Sequence, residues 1–167
     1  MVNPIFQLPL FLTQPSDLNS VGWFFLKFMS HNNLDQFEQV FGSSAILLAQ
    51  APGRLEVLGN HTDYNEGFVL SIAVDRNTQI SFKKIEGNSC QVFSPAMGDG
   101  IREFDITDIS TPLPNKDWTN YVRGVLVELQ KRAHTITAFQ ALVTSDIPLA
   151  AGMSSSASLE MAIVTGL

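Results

Sequence analysis

The sequence predicts an α+β domain. Short apolar runs of strand length recur along the chain, each ended by Gly, Pro or a polar cluster. Only a few segments carry apolar residues at the three-and-four spacing of a helix, and they do not alternate regularly with the strands as a βαβ winding requires. No internal repeat or low-complexity block breaks the pattern.

The elements follow in order. Residues 1–33 read as an apolar, aromatic extension (Phe6, Phe11, Trp23, Phe24, Phe25, Phe28) interrupted by Pro4, Pro9 and Pro15, and residues 34–167 as the domain itself. LDQFEQVF at 34–41 sets Leu34, Phe37, Val40 and Phe41 at helical spacing, with Gly42 as a stop. AILLAQA at 45–51 reads as a strand ended by Pro52-Gly53, and LEVLG at 55–59 as a second short strand before the polar stretch at 60–67. FVLSIAVD and TQISFKKI read as two strands split by Asp75-Arg76-Asn77. CQVFSP and REFDI are shorter strands separated by the Gly-rich 97–100. WTNYVRGVLVELQKR at 118–132 is a helix with basic residues in its last turn, where the dipole favours them. ALVTSDIPL then reads as a strand and its exit, and AAGMSSSASLEMAIV at 150–164 as a Gly/Ser-rich turn running into a helix.

Composition bounds the function. A chain of 167 residues with 45% hydrophobic residues is long enough to bury one core without disulfide or metal staples. Its net charge of -6 repels a phosphate backbone, so nucleic acid and anionic membrane are not expected partners. The lone Cys90 forms no internal disulfide and no thiolate cage, which suits a reducing compartment. The opening residues lack the basic head of a signal peptide, no run is long enough to span a bilayer, and the expected location is the cytoplasm.

Two segments are candidates for chemistry. In the first, Arg54 leads through LEVLG into Asn60, His61, Thr62 and Asp63, side chains that donate and accept hydrogen bonds as a small polyol requires. In an extended stretch His61 and Asp63 share a side; a surface turn accounts for the same composition. One His and one Asp are too few for a closed zinc site. In the second segment, Ala150, Ala151, Gly152, Met153, Ser154, Ser155 and Ser156 put small residues and hydroxyls where a helix begins. Unpartnered N–H groups and the positive end of the dipole attract anions there, although a Ser-capped, closely packed helix start has the same local pattern. No Lys or Arg follows Arg132, so this is not a Walker A loop, and Arg54 becomes the candidate distant cation.

Together the segments resemble a known family. PGRLEVLGNHTDYNEGFVL looks like the galactokinase signature, and DIPLAAGMSSSASLEMA looks like the phosphate loop of the GHMP kinases; their order and the intervening helix fit as well, over roughly residues 34–167. The resemblance implies a fold like ribosomal protein S5 domain 2 and ATP-dependent phosphorylation of the anomeric hydroxyl of galactose. It implies that Asn60, His61, Thr62 and Asp63 bind sugar and that Arg54 lies near the transferred phosphoryl group as a catalytic residue. Ala150 to Ser156 would cradle the phosphates of ATP, with Ser156 also ligating Mg2+.

The family's catalytic aspartate lies downstream of the phosphate loop, and no residue here matches it, so the chain is expected to be an N-terminal part that is inactive alone. Asn60 stands where the family usually has Glu, Glu56 where Asn is usual, and Ala150 where Gly is usual. A neutral amide at residue 60 donates as well as accepts, which extends the expected substrate from galactose to related hexoses or amino sugars. The alternative expectation is a non-catalytic sugar and nucleotide sensor of the same fold.

Overall fold

The computed structural model describes residues 31–59, 68–115, 117–148 and 151–167. Among the described residues three helices, α1 (His31–Phe41), α2 (Thr119–Lys131) and α3 (Ser155–Gly166), accompany five strands: β1 (Leu47–Leu58), β2 (Leu70–Lys84), β3 (Ser89–Phe93), β4 (Arg102–Asp105) and β5 (Phe139–Ser145). The strands form one sheet in the order β1-β2-β5-β3-β4. All pairings are antiparallel except β3 with β5, which is parallel. A mixed sheet with few helices is the α+β class that the sequence predicts. Residues 1–30 of the expected N-terminal extension lie outside the described residues, and its last three, residues 31–33, begin α1 instead.

Alternation along each strand sends one set of side chains to each face of the sheet. Ala49, Ala51, Ile80, Phe82, Ala141, Val143, Cys90, Val92 and Phe104 join Val122 and Leu126 of α2 and Ala162 and Ile163 of α3 in the main core. Phe82 and Phe139 meet edge to face there, 5.7 Å apart. The other face carries Ser81 and Leu142, which oppose each other across β2 and β5. Helix α1 covers this face. Its Asn33, 3% exposed, donates to Thr144 Oγ1 at 2.6 Å and accepts from Ser81 Oγ at 2.5 Å, so the buried Asn33 and Ser81 are both satisfied. Phe37, fully buried, stacks at a tilt on Phe41 one turn on.

Two expected chain breaks are not breaks. Pro52-Gly53 and Asp75-Arg76-Asn77 lie inside β1 and β2, each of which runs through as a single long strand. The register shows how: Pro52 pairs with Asn77, but Arg54 pairs with Ala73, so β2 carries two extra residues opposite Gly53. The polar triplet therefore makes a bulge rather than an end, and the strands resume beyond it. Pro52 needs no ladder donor because β1 is an edge strand. Beyond the bulge the hairpin leaves Leu58, Leu70 and Ile72 exposed. The first helix likewise starts at His31, earlier than the Leu34 that its apolar spacing marks.

Candidate functional site

Helix α3 projects its N-terminus toward the bulged part of the β1–β2 hairpin. Its capping residue, Ser154, has left-handed backbone angles (φ 53, ψ 47) and no side-chain capping bond. The Ser-capped start that the local pattern allows is therefore absent as a hydrogen bond, and the first-turn N–H groups are left for another acceptor. Gly152 is also left-handed, at φ 73, so two such residues flank Met153. This reversal turns the Met153 carbonyl back onto β1, where it accepts from the Arg54 N–H at 3.1 Å. A side chain could not stand at Gly152 without backbone strain, and the space above it is open to a ligand.

Close approach of the loop to the strand depends on Gly53. A Cβ built there would lie 2.9 Å from the Met153 oxygen and 3.2 Å from both Ile147 and Val74 side chains. Arg54 follows directly and is exposed. Among the described residues no carboxylate pairs with it, whereas Arg76 pairs with Asp146 at 3.5 Å and Arg102 pairs with Asp99 and Asp117. A guanidinium with no carboxylate partner among the described residues, on the residue whose N–H anchors the loop, is suited to an anionic group.

The entry to the loop is pinned separately. Asp146 Oδ1 accepts from the Asn77 N–H at 2.6 Å, and the Asp146 N–H donates to the Asn77 carbonyl at 3.2 Å. Ser145 Oγ accepts from the Ile147 N–H at 3.2 Å and lies 3.2 Å from Thr78 Oγ1. The bulge in β2 is thus the part of the sheet that grips the chain as it leaves β5.

The structure brings together Arg54 and the stretch from Ala151 to Ser156. Asn60, His61, Thr62, Asp63 and Ala150 lie outside the described residues, including the shared side expected for His61 and Asp63; β1 ends at Leu58, two residues before Asn60. Ser156 sits in the first turn of α3, half-buried. Among the described residues no three His, Cys, Asp or Glu converge as a metal site. One hydroxyl fits Mg2+ only as a single oxygen ligand, with phosphate oxygens and water completing the shell.

Three residues of this arrangement escape a reading of the motifs. Gly53, Asp146 and Ser158 bind no expected ligand, yet each holds the loop to the sheet. A Gly inside an otherwise strand-forming run is the signal for the first.

Two family models and several solved structures match this chain. The galactokinase galactose-binding signature matches residues 35–84, and the N-terminal domain of the GHMP kinases matches residues 120–167. The galactokinase of Lactococcus lactis, solved in complex with galactose, superposes with a TM-score of 0.72 at 32% identity, over 78% of this chain and 34% of that one. The mevalonate kinase of Methanococcus jannaschii gives a TM-score of 0.61 at 18% identity, over 73% of this chain and 39% of that one. The phosphomevalonate kinase of Streptococcus pneumoniae, solved with phosphomevalonate and AMPPNP, gives 0.54 at 16%, over 72% and 35%. The last two likenesses speak for the fold alone. This chain spans about a third of the length of the galactokinase it matches. With the signature on β1–β2 and the loop before α3 tied by one backbone bond, the chain belongs to the GHMP kinase family and corresponds to the N-terminal part of a galactokinase.

Proposed function

We propose that this chain supplies the sugar-binding and phosphate-binding part of a kinase that transfers the γ-phosphoryl group of ATP to the anomeric hydroxyl of galactose or a related hexose. The observation that carries the reading is the Arg54 N–H to Met153 carbonyl bond of 3.1 Å, which joins the strand of the sugar signature to the loop of the phosphate motif. Phosphoryl transfer asks chiefly for positioning and for charge stabilisation around the transferring oxygens. N–H groups at the start of α3, a helix of 12 residues, face that charge with the positive end of the dipole.

Within this reading Ala150 to Ser156 cradle the phosphates, and Arg54 stabilises charge on the group in flight. Asn60, His61, Thr62 and Asp63 hold the sugar hydroxyls; Asn60, a neutral amide, both donates and accepts. Ser156 contributes one oxygen to Mg2+, which when bound neutralises phosphate charge. No residue of this chain is assigned as the base that takes the sugar proton, and the chain alone is proposed to bind without turning over.

The test is calorimetric titration of the 167-residue chain with MgATP and with galactose, followed by incubation with γ-labelled ATP and sugar. Binding of both ligands without labelled sugar phosphate is the expected result. Failure to bind either ligand overturns the reading, while sugar-dependent transfer overturns only the expected inactivity.

A further inference from the structure

Ser158 falls within the stretch DIPLAAGMSSSASLEMA but two residues past Ser156, the last residue to which phosphate binding is assigned. It sits in the first turn of α3 and is 2% exposed. A serine inside a helix usually turns its hydroxyl to solvent or back to the carbonyl four residues earlier. Here the hydroxyl goes elsewhere. Ser158 Oγ donates to the Ala51 carbonyl at 2.7 Å and accepts from the Thr78 N–H at 3.3 Å. Ala51 and Thr78 oppose each other across β1 and β2, next to the bulge. One buried hydroxyl thus joins two strands and the helix.

The same residue also holds the loop from beneath. The Ser158 N–H donates to the Ser154 carbonyl at 3.0 Å, and Ser154 is the left-handed residue that turns the Met153 carbonyl onto Arg54. Between the sheet and the Arg54 contact there are therefore two ties, one through Ser158 and one through Met153. Removing the Ser158 hydroxyl takes away the bonds from the first turn of α3 to Ala51 and Thr78 and leaves the Met153–Arg54 bond as the loop's hydrogen bond to β1.

We infer that Ser158 is a positioning residue for phosphoryl transfer: it sets the height of the Gly152–Ser156 loop over β1, and so the distance between Arg54 and a bound phosphate. The inference rests on the phosphate-loop reading proposed above. It concerns a residue that touches neither nucleotide nor sugar and acts through the backbone of the loop.

The experiment compares MgATP affinity and melting temperature for the unaltered chain, Ser158→Ala and Val92→Ala. Val92 is fully buried on β3, a strand that does not touch the loop, so its truncation lowers stability without loosening the Ser158 tie. The expected result is about tenfold weaker MgATP binding in Ser158→Ala, well below its melting temperature, with Val92→Ala within about twofold of the unaltered chain. Equal MgATP affinity in Ser158→Ala and the unaltered chain overturns the inference, as does a parallel loss in Val92→Ala, which would mark a general effect of stability. Should Ser158→Ala fail to fold, Ser158→Cys keeps nearly the same volume with a much weaker donor and is judged by the same comparison. Absence of MgATP binding in the unaltered chain overturns the phosphate-loop reading itself, and the inference with it.

Discussion

A methyl group on Gly53 would stand 2.9 Å from the carbonyl oxygen of Met153, inside the distance at which real Cβ atoms are found. The two residues are 100 positions apart in sequence, and their contact is what seats the proposed phosphate loop on the strand that leads to Asn60. Gly53→Ala must push the loop outward, because backbone on one side and the buried Ile147 on the other leave no room to yield. Overpacking of this kind costs about 1–3 kcal/mol. The variant should melt lower and bind MgATP more weakly; chemical denaturation and titration would show it, and native values in both would count against the seating role.

Ser154 makes the opposite prediction for stability. A non-glycine residue in the left-handed region costs on the order of 1 kcal/mol, and here no capping bond from its side chain repays it. Ser154→Gly should relieve that cost and melt at least as high as the unaltered chain, offset in part by the added freedom of glycine when unfolded. Ser154→Ala keeps the strain and gains nothing. A clear fall in melting temperature for Ser154→Gly would mean that the hydroxyl contributes more than the backbone angle withholds.

Much of the fold is legible in the sequence because local pattern and tertiary burial agree there. Val122 and Leu126 mark the inner face of α2 by spacing alone, and both are fully buried. Pro52-Gly53 and Asp75-Arg76-Asn77 mislead because proline, glycine and polar clusters signal a turn and a bulge alike. Only the partner strand decides, and the partner is a long-range fact. The phosphate loop is legible as a motif, but its attachment is not: Arg54 and Met153 belong to different motifs, and their bond forms only when β1 and α3 meet. Ser158 is hidden for a related reason, since a small residue in a helix reads as packing until Ala51 and Thr78 are placed beside it.

Cys90 predicts a pH dependence. Burial pushes its thiol up from 9.0 to about 11, helped by the charge of Asp105 and opposed by a backbone hydrogen bond with Phe139. Below pH 9.0 both folded and unfolded chains hold the proton, so the group contributes no slope. Between 9.0 and about 11 the unfolded thiol ionises while the folded one does not, so the unfolded state binds fewer protons and stability falls as pH rises. Above that window both are ionised and the slope vanishes. Denaturation of the unaltered chain and Cys90→Ala across the window should show a steeper alkaline loss in the former, and parallel curves would remove the thiol as its cause. Slow reaction of the folded chain with a thiol reagent at neutral pH is the companion expectation.

Arg54→Ala separates charge stabilisation from loop placement. The Met153 carbonyl is held by the backbone N–H of Arg54, so removing the side chain leaves that bond available and the loop in place. The side chain is exposed and has no carboxylate partner among the described residues, so stability should change little. Under the proposed function, what is lost is one cation near the phosphates. If the guanidinium meets charge that is largest in the transition state, MgATP binding should weaken by no more than about threefold. Binding of MgADP with aluminium fluoride and galactose, a mimic of the group in flight, should weaken on the order of a hundredfold. Equal losses for the two complexes would assign Arg54 to ground-state phosphate binding instead, because an interaction made alike with substrate and transition state lowers both affinities together.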